Sequence, residues 1–267
     1  MLATVRIVGK PHSTPTRRTS RAANRASSRA RVNDRFYFRQ LLAGRDFARD
    51  DDVARQMMNF VYALGDRATG DALLVDPAYA PRELVELVEA DGMKVRGVLA
   101  THFHADHVGG DLMGTQIDGI AELLGVIDVP VHVHADEAAW VTLVTGVEPD
   151  ALFTHESGDL VRAGELDVTL IHTPGHTPGS QCFLVGGRLL SGDTLFIDGC
   201  GRTDLPGSDP EEMYRTLTTR LSVVGDDTVL FPGHRYSPEF SSPMSEVRQH
   251  NFVLAPNTRE HWLAMFS

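Results

Sequence analysis

Only two of the 267 residues are cysteines, Cys182 and Cys200. So few thiols argue against a structural disulfide framework and make a reducing compartment the default. No apolar run approaches the roughly 18 residues that read as a membrane-crossing helix. An apolar h-region of the secretory type is also missing. The body has no short repeat and no linker rich in Pro, Gly or Ser, so composition does not divide it. Basic residues are scarce beyond the N-terminal tail. Residues 1–35 hold nine Lys or Arg against one acid, Asp34, while the remainder carries 16 basic and 35 acidic residues, a net −19. A body that acidic is poorly matched to phosphate backbones, so nucleic acid is not expected as a partner.

What is present begins with the tail. Residues 1–33 are rich in Arg, Ser and Ala and hold too little apolar surface to offset their ordering entropy, which predicts disorder. The composition resembles an organelle transit peptide. An upstream start or a solvated extension is the preferred reading, with the cytoplasm as the expected location. Residues 34–267 suit one domain with a substantial core. "FYFRQLLA", "MMNFVYALG" and "DALLVDPAY" read as strands. "PRELVELVEADG" reads as a helix with Pro81 at its start, Leu84, Val85 and Val88 on one face, and Gly92 just past its end. "KVRGVLAT" is again a strand, and it runs directly into a polar loop. Helix, strand and helix follow, then a strand-rich portion, then a helix opened by Asp209 and Pro210, the strand "TVLFPGH" and a terminal helix. This is an α/β pattern of two similar sheet-and-helix halves.

One spacing occurs twice. "HFHAD" places His102, His104 and Asp106 in the same arrangement as His132, His134 and Asp136 in "HVHAD". Imidazole and carboxylate hold zinc, iron or manganese without thiolate help, but they need backbone that is free to turn. His102 follows a strand and precedes a Gly pair, which meets that condition. His132 and His134 alternate with valines inside a strand, so both point to one face, and Asp136 reads as a helix N-cap or a turn residue. The second run is therefore expected to be structural.

Three more loops supply candidates. His176 lies in a turn between two Pro-Gly pairs in "TPGHTPGS". Asp193 ends the apolar strand "LLSGDTLF", where a buried carboxylate needs a partner. His234 follows the Pro-Gly of "VLFPGH". Four strand ends each deliver His or Asp into a loop.

The runs "THFHADH", "TPGHTPGS", "SGDTLF" and "FPGH", in this order, resemble the metal motifs of the metallo-β-lactamase superfamily over residues 36–250 or so. The resemblance implies an αββα sandwich with metals at the edge of its two sheets. It implies one ion held by His102, His104 and His176, and a second held by Asp106, His107 and His234, with Asp193 bridging both. Asp106 is carried over as a catalytic residue as well as a ligand. Asp76 matches a position that supports the site from behind.

Two divalent ions can share an activated water and polarise a scissile bond, so hydrolysis is the default chemistry. Neither cysteine falls at a metal motif, which disfavours lactams. The pattern is similar to glyoxalase II, and a hydrolase of glutathione thioesters is the leading expectation. "FIDGCGRTDLPG" and "FRQLL" also resemble persulfide dioxygenases, which use a single Fe(II) at positions matching His102, His176 and Asp193. Only 33 residues follow His234, fewer than glyoxalase II carries, whereas Arg235 stands where the dioxygenase pattern leads one to expect an acid. A non-catalytic metal-binding module is the third alternative, although all seven ligand positions are filled. The expected partner is a small thiol-derived substrate, with no membrane; a homodimer is allowed for. Arg202 and Tyr236 are candidate substrate contacts, Arg202 alternatively bracing its own loop. Cys200 reads as an inert thiol.

Overall fold

The computed structural model describes residues 35–255 and 258–266, and the expected tail, residues 1–33, lies outside them. β1 (Phe36–Leu42) leads through a short helix, α1 (Asp52–Met57), to β2 (Phe60–Asp66), which pairs antiparallel with β1 and with β3 (Asp71–Val75). Asp51 caps α1, its carboxylate accepting from the amides of Val53 and Ala54. The helix α2 (Pro81–Ala90) buries Leu84, Val85 and Val88 and returns the chain to β4 (Lys94–Leu99), parallel to β3. A single-turn helix α3 (Ala105–Val108), the hairpin β5 (Gly110–Leu112) and β6 (Thr115–Ile117), and α4 (Ile120–Leu124) come next. β7 (Val131–His134), α5 (Ala138–Thr145) and β8 (Leu152–His155) complete a six-stranded sheet in the order β1-β2-β3-β4-β7-β8.

The second sheet is an antiparallel meander of β9 (Leu160–Ala163), β10 (Leu166–His172), β11 (Gln181–Val185) and β12 (Arg188–Gly192). The helix α6 (Pro210–Thr218), capped by Asp209, crosses to β13 (Val229–Pro232), parallel to β12, and β14 (Ser242–Pro243) closes the far edge. Two helices, α7 (Met244–His250) and α8 (Arg259–Phe266), end the described chain.

Three apolar layers account for the stacking. Leu42, Phe60, Leu64, Leu73 and Leu99 from the first sheet meet Val168, Leu170, Phe183 and Leu190 from the second. The outer face of the first sheet packs against α2, α4 and α5 through Leu84, Ile120, Leu123 and Val141. The outer face of the second packs against α6, α7 and α8 through Met213, Leu217, Val247 and Trp262. Helix, sheet, sheet, helix is the expected αββα sandwich. β2 lies inside the sheet between β1 and β3 and is buried along its whole length. Among the described residues no helix is long and apolar enough to cross a membrane.

Candidate metal centre

β3, β4, β12 and β13 each end in a loop that carries a polar site residue, and these loops meet. Asp76, just past β3, has a left-handed φ of 53°, a region that a non-glycine residue occupies only when held there. Its carboxylate is what holds it, accepting from the Thr101 amide at 2.7 Å, the Thr101 hydroxyl at 2.6 Å and His107 Nδ1 at 2.9 Å. The end of β4 and the helix α3 are thereby fixed to β3.

The histidines are oriented from behind. His102 Nδ1 lies 3.0 Å from the Thr101 hydroxyl, His176 Nδ1 2.8 Å from the Arg202 carbonyl, and His234 Nδ1 2.8 Å from the Met57 carbonyl. With His107 on Asp76, four rings are held at Nδ1 and present Nε2 inward, which is how metal-ligating imidazoles are usually set. His104 presents Nδ1 instead, 3.0 Å from both His102 Nε2 and His176 Nε2.

Inward-facing nitrogens at that spacing repel unless a cation or a proton lies between them. Asp193 makes the same demand: its Oδ1 is buried and accepts no well-formed hydrogen bond, while His107 Nε2 stands 3.4 Å away. Its Oδ2 lies 3.7 Å from His176 Nε2 and 3.4 Å from His234 Nε2. Asp106 Oδ2 lies 3.3 Å from His234 Nε2 and 3.5 Å from His107 Nε2. All seven predicted ligand side chains therefore converge, in overlapping groups able to hold metal: His102, His104 and His176; His102, His107 and Asp193; Asp106, His107 and His234. The donor set fits divalent ions.

The two halves of the cluster differ electrostatically. Burial, followed by the neighbouring histidines, holds His102 well below its ordinary pKa and lowers His104 to about 4; burial also lowers His176. Burial alone would lower His107 and His234 too. Asp106 and Asp193 override it, raising His107 well above the usual value and His234 to about 9. Both carboxyls are in turn held well below the carboxylate range despite their burial, by His107 and His234.

Two buried groups here carry no local sequence signal. Asn59, 1% exposed, puts Nδ2 at 3.0 Å from Asp106 Oδ2, 3.3 Å from His107 Nε2 and 3.4 Å from His234 Nε2, while its Oδ1 accepts from the Tyr79 hydroxyl at 2.8 Å. Glu137, also 1% exposed, accepts from the Phe103 amide at 2.7 Å, the Thr177 hydroxyl at 2.8 Å and the Gly179 amide at 2.7 Å. It therefore ties the "THFHADH" loop to the "TPGHTPGS" loop. Gly233 is required by close approach: a Cβ there would lie 2.4 Å from Asp193 Oδ1.

The cluster opens into a cavity of about 850 Å³ whose walls include Phe103, Met113, Phe196, Leu205, Arg202 and Tyr236. Arg202 forms a two-pronged pair with Asp204, at 2.8 Å on each side, but the pair is exposed, not the buried charge that the loop-bracing reading requires. The Tyr236 ring stacks on His234, with centroids 4.8 Å apart. Cys200 also lines the cavity, but burial pushes its thiol up to about 12, which suits an inert group. His132, His134 and Asp136 do not join the cluster; their neighbours are His155 and His172.

Comparison with known proteins agrees with this geometry. The family model of the metallo-beta-lactamase superfamily matches residues 55–234. A hydroxyacylglutathione hydrolase of Alkalilimnicola ehrlichii is 37% identical over 185 residues, 67% of this chain and 62% of that protein. The mitochondrial persulfide dioxygenase ETHE1 of Homo sapiens is 29% identical over 197 residues, 72% of this chain and 70% of that protein. The crystal structure of ETHE1 from Myxococcus xanthus superimposes with a TM-score of 0.70 at 28% identity, covering 86% of this chain and 89% of that one. Fold, motif order and converging ligands lead to one conclusion: the chain belongs to the metallo-β-lactamase superfamily.

Proposed function

We propose that the protein is a metal-dependent hydrolase of glutathione-type thioesters. The observation that carries this reading is the position of Asp193, with one oxygen between His176 and His234 and the other facing His107. One carboxylate thus spans two ligand sets, His102, His104 and His176 on one side and Asp106, His107 and His234 on the other. Bound there, two divalent ions (zinc, iron or manganese) would supply a Lewis acid and a water activated at neutral pH. The chain's own contribution is to fix the ligand geometry from behind, through Asp76, Thr101 and two backbone carbonyls. It also offers a walled cavity in which Arg202 and Tyr236 face the substrate. The likeness to hydroxyacylglutathione hydrolases supports the thiol class.

A second reading, a single-iron persulfide dioxygenase, has its own observation: the Asn59 amide lies 3.0–3.4 Å from the Asp106, His107 and His234 atoms that would hold a second ion, and so engages that set without one. Metal analysis and Asp106→Asn separate the two. A two-metal hydrolase yields two ions per chain, cleaves S-lactoylglutathione and loses at least about a hundredfold in activity with the ligand. One iron per chain, oxygen uptake with glutathione persulfide and an indifferent Asp106→Asn variant would replace the hydrolase by the dioxygenase.

A further inference from the structure

The second HxHxD run lies outside the centre, yet it is not idle packing. β7 brings His134 face to face with His172 at the end of β10, with ring centroids 3.7 Å apart and planes 12° from parallel. His134 is 2% exposed. Its Nδ1 accepts the Asp136 amide at 3.2 Å, so its proton is on Nε2, and that nitrogen is buried without a hydrogen-bond partner. Left unpaired, that N–H costs about 1–3 kcal/mol, and a carboxylate closing on it would both remove the cost and fix the ring.

Carboxylates surround the pair. Asp136 Oδ2 stands 3.6 Å from His134 Nδ1 and 4.0 Å from His172 Nε2. Glu156 Oε2 stands 3.8 Å from the orphaned His134 Nε2. Both acidic side chains are more than half exposed and free to swing. Ligand atoms about 2.0–2.1 Å from a tetrahedral ion are about 3.3 Å apart, so the Asp136 carboxylate needs only a small closure on each histidine nitrogen.

We propose that His134 Nδ1, Asp136 and His172 Nε2 form a second metal site, separate from the main centre, for a borderline cation of the zinc class. Glu156 closes on the Nε2–H of His134 and orients the ring, as carboxylates do behind metal-bound imidazoles. Stacked rings direct their lone pairs side by side, so His172 must turn. In turning it shifts its proton to Nδ1 and releases the Pro178 carbonyl, now 2.9 Å from its Nε2; the ion likewise displaces the Asp136 amide from the single lone pair of His134 Nδ1 and leaves that N–H to solvent. With 20% of its side chain exposed His172 has room to turn. The expected affinity is accordingly modest, in the micromolar range.

The test uses the full chain, stripped of metal and dialysed against Zn²⁺, with bound zinc counted by elemental analysis across free concentrations. Wild type should hold one equivalent more than His172→Gln. Asp136→Asn, at an exposed position that does not threaten folding, should weaken that equivalent at least tenfold. Asp193→Asn should retain it, which shows that it does not belong to the main centre. Equal zinc content and affinity in wild type, His172→Gln and Asp136→Asn would overturn the proposal, whatever happens to their melting temperatures.

Discussion

Glu137→Gln should change stability in opposite directions at low and high pH. Burial, opposed by hydrogen bonds from Thr177, Phe103 and Gly179, raises this carboxyl from 4.5 to about 7. A raised acid is disfavoured as an anion in the folded state, so stability is lost as pH rises from the unfolded value through the folded one. At about 1.4 kcal/mol per pH unit the full penalty is about 3 kcal/mol, of which about 2.5 develops between pH 5 and pH 8. Glutamine carries no such penalty. Its oxygen still serves the Phe103 amide and the Thr177 hydroxyl, but its NH₂ faces the Gly179 amide, a mismatch worth about 1–3 kcal/mol at every pH. At pH 5 the variant should therefore be the less stable protein. By pH 8 it should have drawn level or become the more stable. Urea unfolding of both chains at the two pH values, with chelator present so that metal binding does not enter, measures the difference directly. A gap between the chains that moves by less than about 0.5 kcal/mol would refute the reasoning, because a carboxylate with that pH response is not buried.

Two further outcomes follow from the site and from the strand beside it. Asp193→Asn removes the charge shared by both ligand sets while preserving shape; metal affinity should fall at least about a hundredfold, and thioester turnover should stay low when metal is resupplied. Burial, then His155, lowers His132 to about 4, so the stability that depends on its neutral form is present above 6.5 and lost as pH falls towards 4. After allowance for partial exposure the loss is about 2 kcal/mol, and His132→Gln should flatten the melting-temperature profile between pH 6.5 and 4.5; an unchanged slope would count against it.

What could be read in the sequence is what local pattern forces. The longer strands of both sheets are apolar runs closed by turn residues, and α2 and α6 announce themselves by Pro at N1, so these elements were legible. The strands β8 and β9 and the hairpin β5–β6 were not, since each is short and partly exposed and lacks a period long enough to register. His102, His176, Asp193 and His234 stood out for a related reason: each follows a strand at a point where the chain must turn, and a polar residue there has few structural uses. Glu137 shows where this reasoning stops. It sits at the start of α5, where an acid is ordinary, and its three partners are 34, 40 and 42 residues away. No local signal distinguishes it from Asp136 beside it, which stays largely exposed while Glu137 is buried. The difference between the two depends on Gly179, where a Cβ would lie within 2.7 Å of Glu137 atoms. Only a glycine on the other loop lets the carboxylate close the gap, and a pairing of that kind, made across two halves of the chain, is visible only once the halves have met.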